Sequence, residues 1–215
     1  MSRPAASQSI PNDRSAGQPL RWQFGGALTA SLVDSAGNSV ATVDGRGDGH
    51  PIRISLGQAS ATLDVPGEGE FPPLDEKFVR GDELHLMYPQ MDQRFAVRLA
   101  IEPLTPPANV DAQDFGDGLV VLECRVSVQT DLLDTHPTID LRTDRDTPLT
   151  PLLNEADRRG STRVDDDTVR LFGDFLEKGV IRRGQPWLVN LPASDEDRLA
   201  TLSQWQADRK TVLSD

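Results

Sequence analysis

Alternation of apolar and polar residues is the strongest pattern along this chain. It is clearest over residues 84–88, 95–101 and 119–128. A period of two places one side of a β-strand in a core and the other side in water. Shorter runs of the same kind, or of mainly apolar residues, predict further strands at 28–32, 40–43, 52–56, 61–65, 138–141, 168–172, 180–183 and 187–191. The chain is therefore predicted to be mainly β.

Loop signals separate these runs at short intervals. Glycine and proline are concentrated between the runs, as at Pro66–Gly69 and at Pro103, Pro106 and Pro107. Continuous alternation of helix and strand is absent, which disfavours a doubly wound α/β fold. Many short strands favour an antiparallel β-sandwich, with a large pair of sheets of the supersandwich kind as one form of it.

Helical patterns occur at two places. Residues 152–159 predict one or two helical turns that end at Gly160. Residues 194–215 predict a C-terminal amphipathic helix, with Ser194 as its N-cap and Asp197 completing a capping box. Its apolar stripe, which should pack on the sandwich, consists of Leu199, Leu202 and Trp205.

Three regions are predicted along the chain. Residues 1–19 are rich in small and polar residues and hold too few large apolar ones to offset the entropy of ordering, so we expect a flexible arm. Residues 20–193 form the sandwich domain, and residues 194–215 form the helix.

Charge and composition exclude several classes of function. The chain has 22 basic and 34 acidic residues, a net charge of −12, and such a surface repels nucleic acids and anionic membranes. No apolar run approaches the roughly 18 residues that a membrane helix needs. The single cysteine, Cys124, excludes an intramolecular disulfide, and no signal peptide is recognisable, so a cytoplasmic location is expected.

No standard motif identifies a cofactor, a metal or a nucleophile. The phosphate-binding loop, the nucleophile elbow and the paired-histidine zinc motif are all missing. His50 and His136 each precede a proline and are expected in loops, where Asp134 and His136 alone would supply too few ligands for a metal. Cys124 is in phase with its apolar neighbours and is expected in the core. We therefore expect neither a cofactor nor a metal.

A candidate ligand surface lies on the polar side of the central strands. If the three strongest runs form one antiparallel meander, their alternation places His85, Arg98, Glu123 and Arg125 together on the face away from the core. This set offers donors, acceptors, a general base and an imidazole. Trp187 is a candidate platform on which a sugar ring could stack.

Three functions remain open. The first is a carbohydrate-binding-like module that takes a sugar or another small polar ligand on this face, by analogy with other sandwiches. The second is a sugar-active enzyme of the epimerase or lyase type, with His85 and Glu123 as acid and base. The third is a domain for protein interaction or assembly, for which an exposed apolar patch would be the sign.

Overall fold

Two antiparallel sheets form the body of the protein. The computed structural model describes residues 20–67, 69–91, 94–106, 119–144 and 147–212. The predicted arm at residues 1–19 lies outside the described residues. The first sheet has eight strands, in the spatial order β1 (Arg21–Phe24), β2 (Thr29–Val33), β3 (Ser39–Asp44), β4 (Ile52–Leu56), β5 (Ala59–Asp64), β10 (Thr138–Thr143), β13 (Thr168–Phe172) and β12 (Ser161–Arg163).

The second sheet has seven strands, and its centre is the predicted meander. Its order is β11 (Thr150–Leu152), β15 (Trp187–Val189), β9 (Val121–Gln129), β8 (Ala96–Leu104), β7 (Glu83–Tyr88) and β6 (Glu76–Arg80), and β14 (Ile181–Gly184) also pairs with β9. The prediction of a mainly β sandwich with antiparallel sheets is confirmed.

The main core lies between the two sheets and is supplied by alternate residues of their strands. Leu86 on β7 pairs with Leu99 on β8, which pairs with Val126 on β9, and all three are buried. Ile54 and Leu63 come from the first sheet to the same core cluster. Cys124 also belongs to it, as expected, and burial raises the pKa of its thiol. The opposite residues of the meander consequently face away from the core.

A second apolar cluster forms beneath the C-terminal helix. Helix α1 spans Glu155–Arg159 and is capped by Asn154, whereas helix α2 spans Glu196–Val212. The predicted stripe of α2 packs against Trp187, with Leu202 fully buried and Leu199 and Trp205 partly buried. The N-cap prediction was wrong by one residue, because Asp195 and not Ser194 directly precedes the first helical residue. Helix α2 therefore forms a third layer over part of the second sheet.

Side chains also connect the two sheets at one lateral edge. Lys77 Nζ on β6 donates to the carbonyl oxygens of Gly26 (2.6 Å) and Thr29 (2.9 Å), and it lies over the Phe24 ring. Trp22 Nε1 on β1 donates to the Asp82 carbonyl at 3.0 Å. Burial lowers the pKa of Lys77. These contacts fix the positions of the two edge strands β1 and β6 relative to each other.

Neither of the two described helices is both long enough and apolar enough to cross a lipid bilayer.

Candidate functional site

Most of the nominated polar residues do converge on the outer face of the second sheet. In the register of the sheet, Ala100 lies between His85 and Arg125, and Glu123 lies between Glu102 and Trp187. The side chains of these neighbouring rows meet there, and Arg209 reaches them from helix α2. We call this group the charge cluster, which comprises Glu83, His85, Glu102, Glu123, Arg125 and Arg209.

Ion pairs hold the charge cluster together. Arg125 contacts Glu83 through Nη2, lies 3.6 Å from Glu102 Oε2 through the same nitrogen, and lies 3.5 Å from Glu123 Oε1 through Nε. Arg209 Nη2 donates to Glu102 Oε1 at 3.2 Å, and its Nε lies 3.7 Å from Glu123 Oε2. One guanidinium from the sheet and one from the helix are thus shared among three carboxylates.

Partial burial sets the protonation of the two titratable groups that the sequence nominated. Burial lowers the pKa of His85, and the positive charge of Arg80 lowers it further, so the imidazole is neutral at pH 7. Its Nε2 lies 3.0 Å from Glu83 Oε2, and its ring stacks on Phe78 at 4.7 Å. Burial raises the pKa of Glu123, although Arg209 and the indole of Trp187 act in the opposite direction. With His85 neutral, the three ionised carboxylates and two guanidinium groups give the cluster a net charge of −1.

The stacking role predicted for Trp187 is contradicted by its position. The side chain is only 1% exposed, its ring packs edge to face on Trp205 at 4.7 Å, and its Nε1 donates to Glu123 Oε2 at 3.2 Å. Helix α2 covers the indole, so no ring face is open to a sugar. Local sequence could not reveal this, because Trp187 and Trp205 come from different elements.

Arg98 lies on the predicted face but outside the charge cluster. In the register it pairs with Ser127, which in turn pairs with Arg183 on β14. Arg98 and Arg183 are both exposed, and they line a shallow pocket of about 40 Å³ together with Ser127 and Gln129. We call Arg98, Ser127 and Arg183 the arginine row.

A much larger cavity lies elsewhere, at one end of the sandwich. It has a volume of about 790 Å³ and opens where the chain leaves β5 and where it enters β8 and β10. Among the described residues, its polar lining comprises Glu70, Arg94, His136, Thr138 and Arg170, and Val65, Pro66 and Phe95 supply apolar wall. We call this cavity the end cleft. None of the residues nominated from the sequence lines it.

A buried carboxylate fixes the position of Arg170 in the end cleft. Arg170 donates from Nε and Nη2 to the two oxygens of Asp140, at 2.8 and 3.0 Å. The Asp140 side chain is 6% exposed, whereas that of Arg170 is 37% exposed. The hydrogen bond and charge of Asp140 raise the pKa of Arg170. Because a guanidinium has five N–H donors, the held side chain still has donors for a ligand.

The imidazole of His136 is positioned by its neighbours in the loops. Its Nδ1 lies 3.3 Å from the Gly173 carbonyl oxygen, and its ring contacts Phe175 edge to face at 5.9 Å. The loop position predicted for His136 is correct, and Asp134 lies 3.8 Å from its Nε2. Within the described ranges, no three His, Cys, Asp or Glu side chains are grouped so that they could hold a metal ion.

Comparison with known proteins adds no assignment to these sites. No family model matches the chain, and neither a curated protein nor a solved structure shows significant similarity to it.

Proposed function

We propose that the protein is a binding module for acidic carbohydrates, which it holds in the end cleft. The observation that carries this proposal is a cleft of about 790 Å³ whose polar lining is Glu70, Arg94, His136, Thr138 and Arg170. Ligand-binding cavities typically measure about 300–1,000 Å³. The cleft is therefore large enough to hold a sugar ring.

The chemistry of the lining favours a sugar that carries a carboxylate. Sugar hydroxyls both donate and accept hydrogen bonds, and the carboxylate of Glu70 and the hydroxyl of Thr138 can serve them. The guanidinium groups of Arg94 and Arg170 suit a carboxylate, which they can bind through paired N–H donors. Since Asp140 already orders Arg170, binding costs less side-chain entropy there.

The charge cluster supports a catalytic role less well. An epimerase or lyase would need His85 and Glu123 open to the substrate. Glu123 instead contacts Arg125, Arg209 and the Trp187 indole, and its side chain is only 10% exposed. We therefore propose binding without turnover and assign the sugar to the end cleft.

Titration with two matched sugars tests this proposal. Glucuronate and glucose differ only in the carboxylate at C6, so calorimetry should detect glucuronate binding at least tenfold tighter, about 1.4 kcal/mol. The variants Arg94→Gln and Arg170→Gln should each lose most of this difference. Arg21→Gln removes one exposed charge from β1 and is the control. Equal affinity for both sugars, or unchanged binding by the cleft variants, would contradict the proposal.

A second candidate function, self-association, is favoured by a group of exposed apolar residues. Backbone hydrogen bonds join the loops at 130–135 and 176–179, at Leu176 N to Thr135 O and Gly179 N to Thr130 O. At this junction, Leu133 is 80% exposed, and four further side chains are 41–45% exposed: Leu132, Phe175, Val180 and Ile181. We call these five residues the apolar loop patch.

Charges next to the apolar loop patch favour a second copy of the chain as its partner. Asp131, Asp134, Asp174 and Arg182 are adjacent in sequence to these residues, and Arg183 directly follows Arg182. A two-fold contact could therefore bring opposite charges together around the apolar residues. Sedimentation equilibrium should detect a dimer that Leu133→Ser with Phe175→Ser converts to monomer, whereas Val164→Ser, at an exposed apolar residue of the first sheet's edge loop, should not. A monomeric wild type would exclude this function.

A further inference from the structure

The arginine row brings two guanidinium groups to the same small pocket. Arg98 pairs with Ser127 and Ser127 with Arg183, so the three residues form one line across β8, β9 and β14. Adjacent strands are about 4.8 Å apart, which places the two arginine backbones roughly 10 Å from each other. Directly paired residues project from the same face of a sheet. Both side chains can therefore reach a group bound over Ser127.

The arginine row also differs from the rest of the face in having no counter-charge among the described residues. Arg125 and Arg209 are each shared with glutamates of the charge cluster. By contrast, neither Arg98 nor Arg183 forms an ion pair with any residue that the structure describes, and both side chains are exposed. Two positive charges are thus left together on a chain whose net charge is −12.

We propose that the arginine row is an oxyanion site that binds a phosphoryl group, either that of a phosphomonoester or free phosphate. The pocket of about 40 Å³ has room for one small group, and the rest of the ligand would lie outside it. Besides the two guanidinium groups, the hydroxyl of Ser127 and the amide of Gln129 line the pocket and can donate hydrogen bonds. Of the described residues, none lines both the end cleft and this pocket, so we treat the two sites as separate.

The number of charges and donors favours a phosphoryl group over a carboxylate. A carboxylate has one charge and two oxygens, which one guanidinium fork can satisfy. A phosphomonoester carries about −1.5 to −2 charges at pH 7 and three acceptor oxygens, which match two guanidinium groups with a hydroxyl between them. Arginine is also better suited than lysine to such bidentate recognition.

Titration with inorganic phosphate and with glucose 6-phosphate tests this site and separates two sources of the same group. The amide resonances of Ser127 and Ile181 should shift for whichever source binds. Arg98→Gln and Arg183→Gln should each weaken binding at least tenfold, and Arg98→Lys should weaken it less than Arg98→Gln because the charge remains. Arg21→Gln should bind as wild type does. Affinity for glucose 6-phosphate should fall below about pH 6, where the phosphomonoester loses its second charge.

Three outcomes would overturn the inference. Phosphate that binds no more tightly than chloride would exclude a site. Unchanged affinity in both glutamine variants would place the anion elsewhere, and resonance shifts confined to Arg94 and Arg170 would place it in the end cleft. Tighter binding of glucose 6-phosphate than of inorganic phosphate would identify a metabolite as the source, and the reverse order would identify free phosphate. Thermal unfolding of each variant checks that these exposed substitutions leave the fold intact.

Discussion

The charge cluster and the end cleft contain the same kinds of side chain in different surroundings. Each brings arginine, a carboxylate and an imidazole together on the body of the sandwich. In the charge cluster, helix α2 supplies Arg209 and covers Trp187, and the charged groups form ion pairs with one another. In the end cleft, Asp140 binds Arg170, whose partly exposed side chain also lines the open cavity.

This difference indicates that what covers a polar group decides its role more than its chemical type does. Strand alternation places His85 and Glu123 on an outward face, but it cannot say that a helix from the end of the chain packs there. The charge cluster consequently has a structural role, because its ion pairs connect helix α2 to the second sheet. The end cleft retains a polar lining that faces a cavity large enough for a ligand.

Removing Trp187 should have the largest effect and would test the structural role of the helix-covered region. The side chain is 1% exposed and packs between the sheet and Trp205. We expect Trp187→Ala to lower the free energy of unfolding by about 3–5 kcal/mol, as truncation of buried aromatic residues usually does. Urea denaturation measures this change.

A conservative variant separates packing from hydrogen bonding at the same position. Trp187→Phe keeps a ring against Trp205 but loses the hydrogen bond to Glu123, so we expect a smaller loss of about 1–2 kcal/mol. Glucuronate affinity should be unchanged in this variant, since the end cleft does not include Trp187. A loss below about 1 kcal/mol in Trp187→Ala would mean that helix α2 is not firmly packed on the sheet.

The stability of the protein should also depend on Arg125, the guanidinium that the glutamates of the charge cluster share. Arg125 contacts three glutamates, so Arg125→Met would leave their partly buried carboxylates without it. Breaking a fully buried pair costs about 3–5 kcal/mol, but the Arg125 side chain is 36% exposed, and solvent screening reduces our expectation to about 1–2 kcal/mol. Urea denaturation again gives the value.

Two further variants test whether the loss of stability in Arg125→Met comes from its ion pairs. Arg98→Met removes an arginine from the same face outside the charge cluster and should change stability by less than about 0.5 kcal/mol. Adding Glu83→Gln to Arg125→Met should restore part of the loss, because one unpaired carboxylate is then removed. If the double variant is no more stable than Arg125→Met, the ion pairs are not the source of the effect.

The strands with one buried face could be predicted from the sequence, and the edge strands could not. The central meander was recognised because each of its strands buries alternate residues in the core. Strand β6 has no fully buried residue, and β12 has only three residues, none of them fully buried, so neither has an alternating pattern to detect. Their positions depend on pairing with β7 and β13.

The contents of the two polar regions could be predicted only in part. His85, Glu123 and Arg125 follow from alternation, but Arg209 joins them from 107 residues beyond Glu102, and local patterns carry no information at that separation. The end cleft combines residues from the connection after β5, the loop before β8 and strands of the first sheet. Only pairing of distant strands brings them together, so no motif could have identified the cleft.

Ionic strength should distinguish the end cleft from the charge cluster. We expect raising salt from about 0.05 to 0.5 M to weaken glucuronate binding several-fold, or about 0.5–1 kcal/mol, because Arg94 is exposed and the cleft is open to ions. The stability difference between wild type and Arg125→Met should change by less, because partly buried pairs are screened less. Calorimetry and urea denaturation at the two salt concentrations measure these quantities. If salt changes glucuronate affinity and the stability difference by the same amount, the charge cluster is as open to ions as the end cleft is.

The smallest expected effect concerns pH and the histidine of the charge cluster. Because burial and Arg80 lower the pKa of folded His85 below its usual 6.5, the unfolded chain takes up a proton first as pH falls. His85 should therefore lower the free energy of unfolding as pH drops from about 6.5 towards its pKa in the folded protein. We expect a few tenths of a kcal/mol per pH unit, less than the roughly 1.4 kcal/mol that uptake of one whole proton on unfolding would give.

A comparison of variants separates this contribution from that of Glu123. The raised pKa of Glu123 acts in the opposite sense, since stability falls as pH rises through the window that begins near its usual 4.5 and ends at the folded value. Urea denaturation between pH 5 and 7 should give His85→Gln a smaller loss on acidification than wild type, whereas Glu123→Gln should show a larger one. If the stability of His85→Gln changes with pH as that of the wild type does, burial does not lower the pKa of His85, and the contrast with the open cleft is lost at this residue.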